Sequence, residues 1–259
     1  MLNVYKFVIS IDFIIMSHEA NKQILTLRPG GSLRESLFSE EQKLQQWFKN
    51  LGNLLKTHPS DDEFKRELNI DDPKSMWNTR PLFLKKLDLV PQFWLHTENV
   101  GLHIYHVAMN LNTEKIINKS VVRAATLLHD NGKRNDPTNH NHPLDSAQEA
   151  EKYLKWMDFN KKEIELCLHL IANHDFLGKI VNLQAKETID DVIKICPTLE
   201  ILNCLLVFTI ADIGSIEGLI KIRPNILNDI ISVYVKAKSK LLSSLPHPTD
   251  AIVWHKMPI

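Results

Sequence analysis

Six side chains in this sequence could do chemistry together. They are His103 in GLHIYHVAMNL, His129 and Asp130 in AATLLHDNGK, His142 in NHPLDSAQEA, His174 in IANHD and Asp212 in FTIADIGS. All but His142 sit in or at the end of apolar helical text, so folding carries them toward a core. A lone core histidine usually just hydrogen-bonds a carbonyl. Several buried imidazoles and carboxylates are costly one by one, yet they satisfy one another around a divalent cation. The donors are nitrogen and oxygen, with no cysteine, which argues against a structural zinc finger. It suits Mn, Fe, Co, Ni, Zn or Mg at a site with an open position, and does not select among them.

Neighbouring residues offer alternatives. His106 could share a helix face with His103, but the helical register set by Val107 and Ala108 favours His103. His140 competes with His142, which is preferred for its distance from Ser146. Asp175 next to His174 reads as a helix-end or solvated carboxylate, and His96 as a loop residue able to line an entrance. His18, His58, His169, His247 and His255 are read as background.

The elements that position these residues are predicted to be helices. Glycine is scarce, and apolar residues recur at three- and four-residue spacings through most of the chain, so the expected fold class is all-α. Ser39 and Gln42 resemble a capping box opening SEEQKLQQWFKNLGNLLK, with Leu44, Trp47, Phe48, Leu51 and Leu55 on one face. A polar stretch with room for one short helix follows at 57–78. Further helices are expected near 81–88, 98–112, 114–130, 143–157, 161–176, 187–194, 198–219 and 225–244. The expected organisation is an N-terminal extension with an amphipathic helix and linker over 1–78, a helical bundle over 79–245 and an irregular tail over 246–259.

Composition narrows the partners. With 31 basic and 31 acidic residues in 259, no global field draws in long nucleic acid or an anionic membrane. Cys167, Cys196 and Cys204 lie in apolar text without a CxxC spacing, which fits a reducing, cytoplasmic setting. The apolar start MLNVYKFVISIDFIIM is interrupted by Asp12 and is too short to span a bilayer, and the first fifteen residues receive no functional weight. PGGSLRES has the look of a phosphate-holding Gly-Gly turn, but the metal-binding aspartate pair on a strand that such a turn requires is missing. Asp61-Asp62 lies in polar text.

The order HIYHVA, LLHDNGK and TIADIG resembles the HD-domain superfamily of metal-dependent phosphohydrolases. NHPLDSAQEA followed by LIANHD is similar to the HD region of bacterial tRNA nucleotidyltransferases and of stand-alone nucleotide phosphatases and phosphodiesterases. The resemblance spans about 95–220 and implies an HD-domain helical bundle. It implies that His103, His129, Asp130 and Asp212 are metal ligands and that Lys133, on the lysine of the HD-x-GK stretch, contacts substrate phosphate. His142 and His174 would bind substrate or a second metal. Asn131 stands where the family usually carries an apolar residue, and the nucleotidyltransferase module of the tRNA enzymes is absent.

The expected activity is hydrolysis of a nucleotide or related small phosphoester through a metal-activated water, with Asp130 and Lys133 catalytic. Two competing readings are a non-catalytic sensory module that binds metal and nucleotide, and an all-α interaction protein with buried His/Asp networks. Oligomeric state is not legible.

Overall fold

In the computed structural model the described residues are 33–57, 60–91, 95–134, 136, 138–181 and 187–244. Residues 47–244 of these belong to one compact unit, and 33–46 to another. The N-terminal apolar stretch, the Gly30-Gly31 turn, His18, His58, His247, His255 and the tail after Ser244 lie outside the described residues. Among the described residues every regular element is helical, and the single β feature is an isolated bridge between Pro91 and Asn99. The all-α expectation holds.

The helices are α1 (Leu33–Thr57), α2 (Asp61–Glu67), α3 (Leu82–Lys85), α4 (Val100–Asn110), α5 (Lys119–Leu128), α6 (His142–Trp156), α7 (Lys161–Ala172), α8 (Phe176–Ile180), α9 (Ile189–Ile195), α10 (Leu199–Gly214), α11 (Glu217–Ile222) and α12 (Ile226–Ser243). Short 3-10 turns at Lys86–Leu89 and Asn131–Lys133 complete the set.

Helix α10 is the axis of the larger unit. Its start is fixed by Thr198, whose side chain accepts the Ile201 amide, and it buries Leu202, Leu205, Phe208 and Ala211. Helices α4, α5, α7, α8, α11 and α12 pack against it. Helix α5 is buried from Val121 to its end at Leu128, so the chain reaches His129 already in the interior. Helix α7 opens with a capping box between Asn160 and Glu163 and packs on both α5 and α6. An aromatic cluster, with Phe48 stacked 4.4 Å from Tyr153 and flanked by Phe83 and Trp156, joins the second half of α1 to α6.

Four local readings change. Helix α1 is already formed at Leu33, so Ser39 lies within it instead of capping it. The helix expected from 114 starts at Lys119, because residues 113–118 turn instead, with the Ile116 amide donating to the Thr113 carbonyl. The helix expected to run from 161 to 176 stops at Ala172, and α8 is a separate short helix. The helix expected to run to 219 ends at Gly214. There Ser215 donates to the Ala211 carbonyl and accepts from the Asn110 amide, and α11 sets off anew after Ile216.

Asp61 also differs from its reading as polar-loop text. It opens α2, is buried, and accepts hydrogen bonds from the Thr113 hydroxyl at 2.6 Å and from the Arg123 guanidinium at 2.8 Å. Arg123 is fully buried. Burial alone would raise the Asp61 pKa; the Thr113 hydrogen bonds and the Arg123 charge hold it below the usual carboxylate value. This carboxylate belongs to a structural ion pair.

No single described helix is long and apolar enough to cross a membrane. Helices α9 and α10 meet that measure only as a pair, bent by 107° at the turn between them.

Candidate metal centre

The six side chains singled out in the sequence meet at one place. Helix α4 brings His103, the end of α5 brings His129 and Asp130, the first residue of α6 is His142, the turn after α7 carries His174, and the last turn of α10 carries Asp212. Five of the six are buried, and the His142 side chain is 14% exposed, at the mouth.

Asp130 stands in the middle. Its Oδ2 is 3.6 Å from His129 Nε2 and 3.9 Å from His103 Nε2, and it accepts from Lys133 Nζ at 2.8 Å. Its Oδ1 is 3.3 Å from His142 Nε2 and 3.9 Å from His174 Nε2. Asp212 Oδ1 closes the first group, 2.9 Å from His103 Nε2 and 3.8 Å from His129 Nε2. Donors bonded at about 2.1 Å to one ion lie roughly 3.0 to 3.4 Å from each other. The observed separations surround that range.

The imidazoles are aimed by the backbone. The Nδ1 hydrogens of His129, His142 and His174 each donate to the carbonyl three residues earlier, on Thr126, Asn139 and Ile171, at 2.8 to 2.9 Å. A carbonyl can only accept, so Nδ1 must carry the proton, and in the neutral ring Nε2 presents a lone pair to the centre. His129 Nε2 has no hydrogen-bond partner among the described residues. His142 Nε2 and His174 Nε2 face each other at 3.3 Å, with a carboxylate oxygen beside them. Such a gathering of acceptors is favourable when a cation lies among them.

Electrostatics agree. Burial pushes His129 down to about 3 despite the nearby carboxylates, keeping it neutral. Burial also opposes charge on His103, but hydrogen bonds to Asp212 and Glu98 and the carboxylate charges outweigh it and raise its pKa to about 9. Against the cost of burial, Lys133 and the histidines hold Asp130 well below the usual carboxylate range, and His103 and His129 do the same for Asp212. A centre that sets two ionised carboxylates beside the neutral His129 ring fits a divalent ion. Two groups of donors, His103, His129 and Asp130, and Asp130, His142 and His174, could each hold one.

The turn after Asp130 is held against α6 by close approach. The Gly132 amide donates to Ser146 Oγ at 2.8 Å, and a β-carbon at Gly132 would stand 2.6 Å from the His142 carbonyl oxygen. Glycine is therefore required for His142 to come this near to Asp130. Asn131 follows Asp130 into the interior and is 1% exposed, and neither amide atom has a partner among the described residues.

One residue of the centre, Glu98, was not singled out in the sequence, and His96 takes the entrance position expected of it. Glu98 lies in the turn before α4, with Oε1 3.4 Å from His103 Nδ1 and Oε2 2.6 Å from His106 Nδ1. His103 is thus the one ligand candidate whose Nδ1 faces a carboxylate instead of a carbonyl. His96 packs edge-on to His103 at 4.7 Å and lines the pocket above it. The only hint in the text was a carboxylate five residues ahead of a helical histidine. His106 is 44% exposed and turns to Glu98, His140 is exposed, and Asp175 pairs with Lys179 at 2.6 Å.

Residues 93–212 match the family model described as HD domain, which supports the HD-domain superfamily for this segment. No curated protein matches the chain.

Proposed function

We propose that this protein is a metal-dependent phosphohydrolase acting on a nucleotide or related small phosphoester. The observation that carries this reading is the position of Asp130 between two groups of inward-facing imidazole nitrogens, with Lys133 beside it. When bound, a divalent ion lowers the pKa of water toward neutrality and offsets charge on phosphoryl oxygens.

The chain's own residues divide the remaining work. His103, His129, Asp130 and Asp212 would hold a first ion. His142 and His174, beside Asp130, would hold a second; their paired ring nitrogens suit a cation better than a phosphate. Asp130, between the two groups of imidazoles, would orient the attacking water. Lys133 reaches the pocket from the turn after Asp130 and adds positive charge where the phosphoryl group becomes more negative, an electrostatic effect that is often the largest catalytic contribution. The pocket over the centre, about 400 Å³, has room for a small phosphoester.

The test is phosphate release from a panel of nucleotides by protein reconstituted with Mn, Fe, Co, Ni, Zn or Mg. Turnover with at least one pairing is expected, falling at least about a thousandfold in His129→Ala and Asp130→Ala while helical content is retained. Full activity in either variant would overturn the proposal, and bound nucleotide without hydrolysis would favour a sensor.

A further inference from the structure

Part of the pocket lining is not used by the chemistry of the metal centre. Besides the histidines and carboxylates, the pocket has an aliphatic wall of Leu95, Ile213, Ile216, Leu219, Ile222 and Ile226. This wall exists because the chain breaks after Gly214. A helix continuing α10 would carry Ile216 and Leu219 away from Asp212, whereas the turn at Ser215 folds α11 back over the pocket. The fold-back is tight. A β-carbon on Gly218 would stand 2.2 Å from the Leu95 carbonyl oxygen, so α11 rests directly on the segment carrying Leu95 and His96.

The polar side chains on this side are already engaged. Lys179 pairs with Asp175 at 2.6 Å. Arg223 donates to the Val181 carbonyl at 3.0 Å and pairs with Asp229 at 3.2 Å. Beside these paired side chains the lining is aliphatic, and Ile222 is 66% exposed. An aliphatic wall recognises its ligand by removing apolar surface from water, and it discriminates against bodies covered with hydroxyls.

Building on the phosphohydrolase reading, we propose that this wall is a subsite for the apolar body of the substrate: the phosphoester lies at the metal centre and an alkyl chain or the flat face of a ring lies along α11. Selection is by desolvation, so a sugar phosphate is a poor ligand and a phosphoester with an apolar body is a good one.

Non-hydrolysable n-alkylphosphonates from methyl to hexyl, titrated calorimetrically into the metal-reconstituted protein, read the wall without any turnover. Each fully buried methylene is worth roughly a fourfold gain in affinity. Because the pocket is half open, the expected gain from methyl to hexyl is at least about tenfold. Ile222→Ser, at an exposed position that keeps the fold, and Leu219→Ser each compress that ratio by about threefold or more. A nucleoside 5′-monophosphate bound more tightly than ribose 5-phosphate supports the same wall covered by a flat body.

A flat alkyl series, or ribose 5-phosphate bound as tightly as the hexyl compound, overturns the proposal. Phosphate release from the matching alkyl phosphate esters reports on the hydrolytic reading separately. No release from these esters or from the nucleotide panel, with the affinity gain intact, sinks hydrolysis and keeps the subsite; release with a flat series does the reverse.

Discussion

His142 Nε2 and His174 Nε2 lie 3.3 Å apart, and the Nδ1 hydrogen of each ring donates to the carbonyl three residues upstream. Two ring nitrogens facing one another beside the Asp130 carboxylate make a position that suits a cation.

The first expectation is stoichiometric. Metal analysis of reconstituted protein should find about two divalent ions per chain, and the double variant His142→Ala, His174→Ala about one. Two ions retained in the double variant would exclude these residues as ligands.

Glu98 should act through His103. A carboxylate on the far nitrogen of a ligating imidazole fixes its tautomer and raises its basicity, and losing such a partner typically costs tenfold to a hundredfold in metal affinity. Glu98→Ala is expected to weaken the tighter site by that factor, measured by competition with a chelating dye. Glu98→Asp should recover part of it, which a merely structural role would not provide.

The metal-free protein should lose stability as pH rises from about 6.5 through 9. His103 has its pKa raised to about 9, so the proton it gains on folding contributes fully below the unfolded value of about 6.5 and disappears above 9. Asp130 and Asp212 work at the other end: their depressed pKa values contribute above about 3.9 and are lost as pH falls below it. Urea unfolding in EDTA at pH 6.5, 7.5 and 9 reads the first effect. His103→Gln should flatten the decline, and a decline of unchanged steepness would refute the assignment. Metal affinity should climb over the same window, because the proton on His103 must leave before its Nε2 can bind an ion.

Removing Asp61 should destabilise the protein by about 3 kcal/mol, because the fully buried Arg123 guanidinium loses its carboxylate partner. Urea denaturation of Asp61→Asn measures this. Replacing both partners with apolar side chains should recover much of the loss. If Asp61→Asn cost less than about 1 kcal/mol, the pair would not be holding α2 to the core.

The centre was legible because its donors sit in or beside apolar helical text, where an ionisable group is conspicuous. His129 and Asp130 announce themselves by following a helix that is buried on all sides. Glu98 did not, since a polar TEN segment before a helix also describes ordinary capping, and Asn99 does cap α4 through the Leu102 amide. Only the tertiary approach of Glu98 to His103 distinguishes it. The pocket wall was hidden for another reason. The apolar spacing of 199–219 is continuous, so periodicity alone extends the helix, and the break is marked only by tertiary contacts such as that of Ser215 with Asn110. Asp61 was misread because its partner Arg123 is 62 residues away.

Three of the imidazoles take their direction from main-chain oxygens, two at the ends of α5 and α7 and one in the turn before α6, so their orientation needs no help from an incoming ion. Little reorganisation then remains to be driven by binding. The preference among divalent ions will follow ionic radius and coordination number, matched to a rigid frame, more than any capacity of the ion to assemble its own ligands.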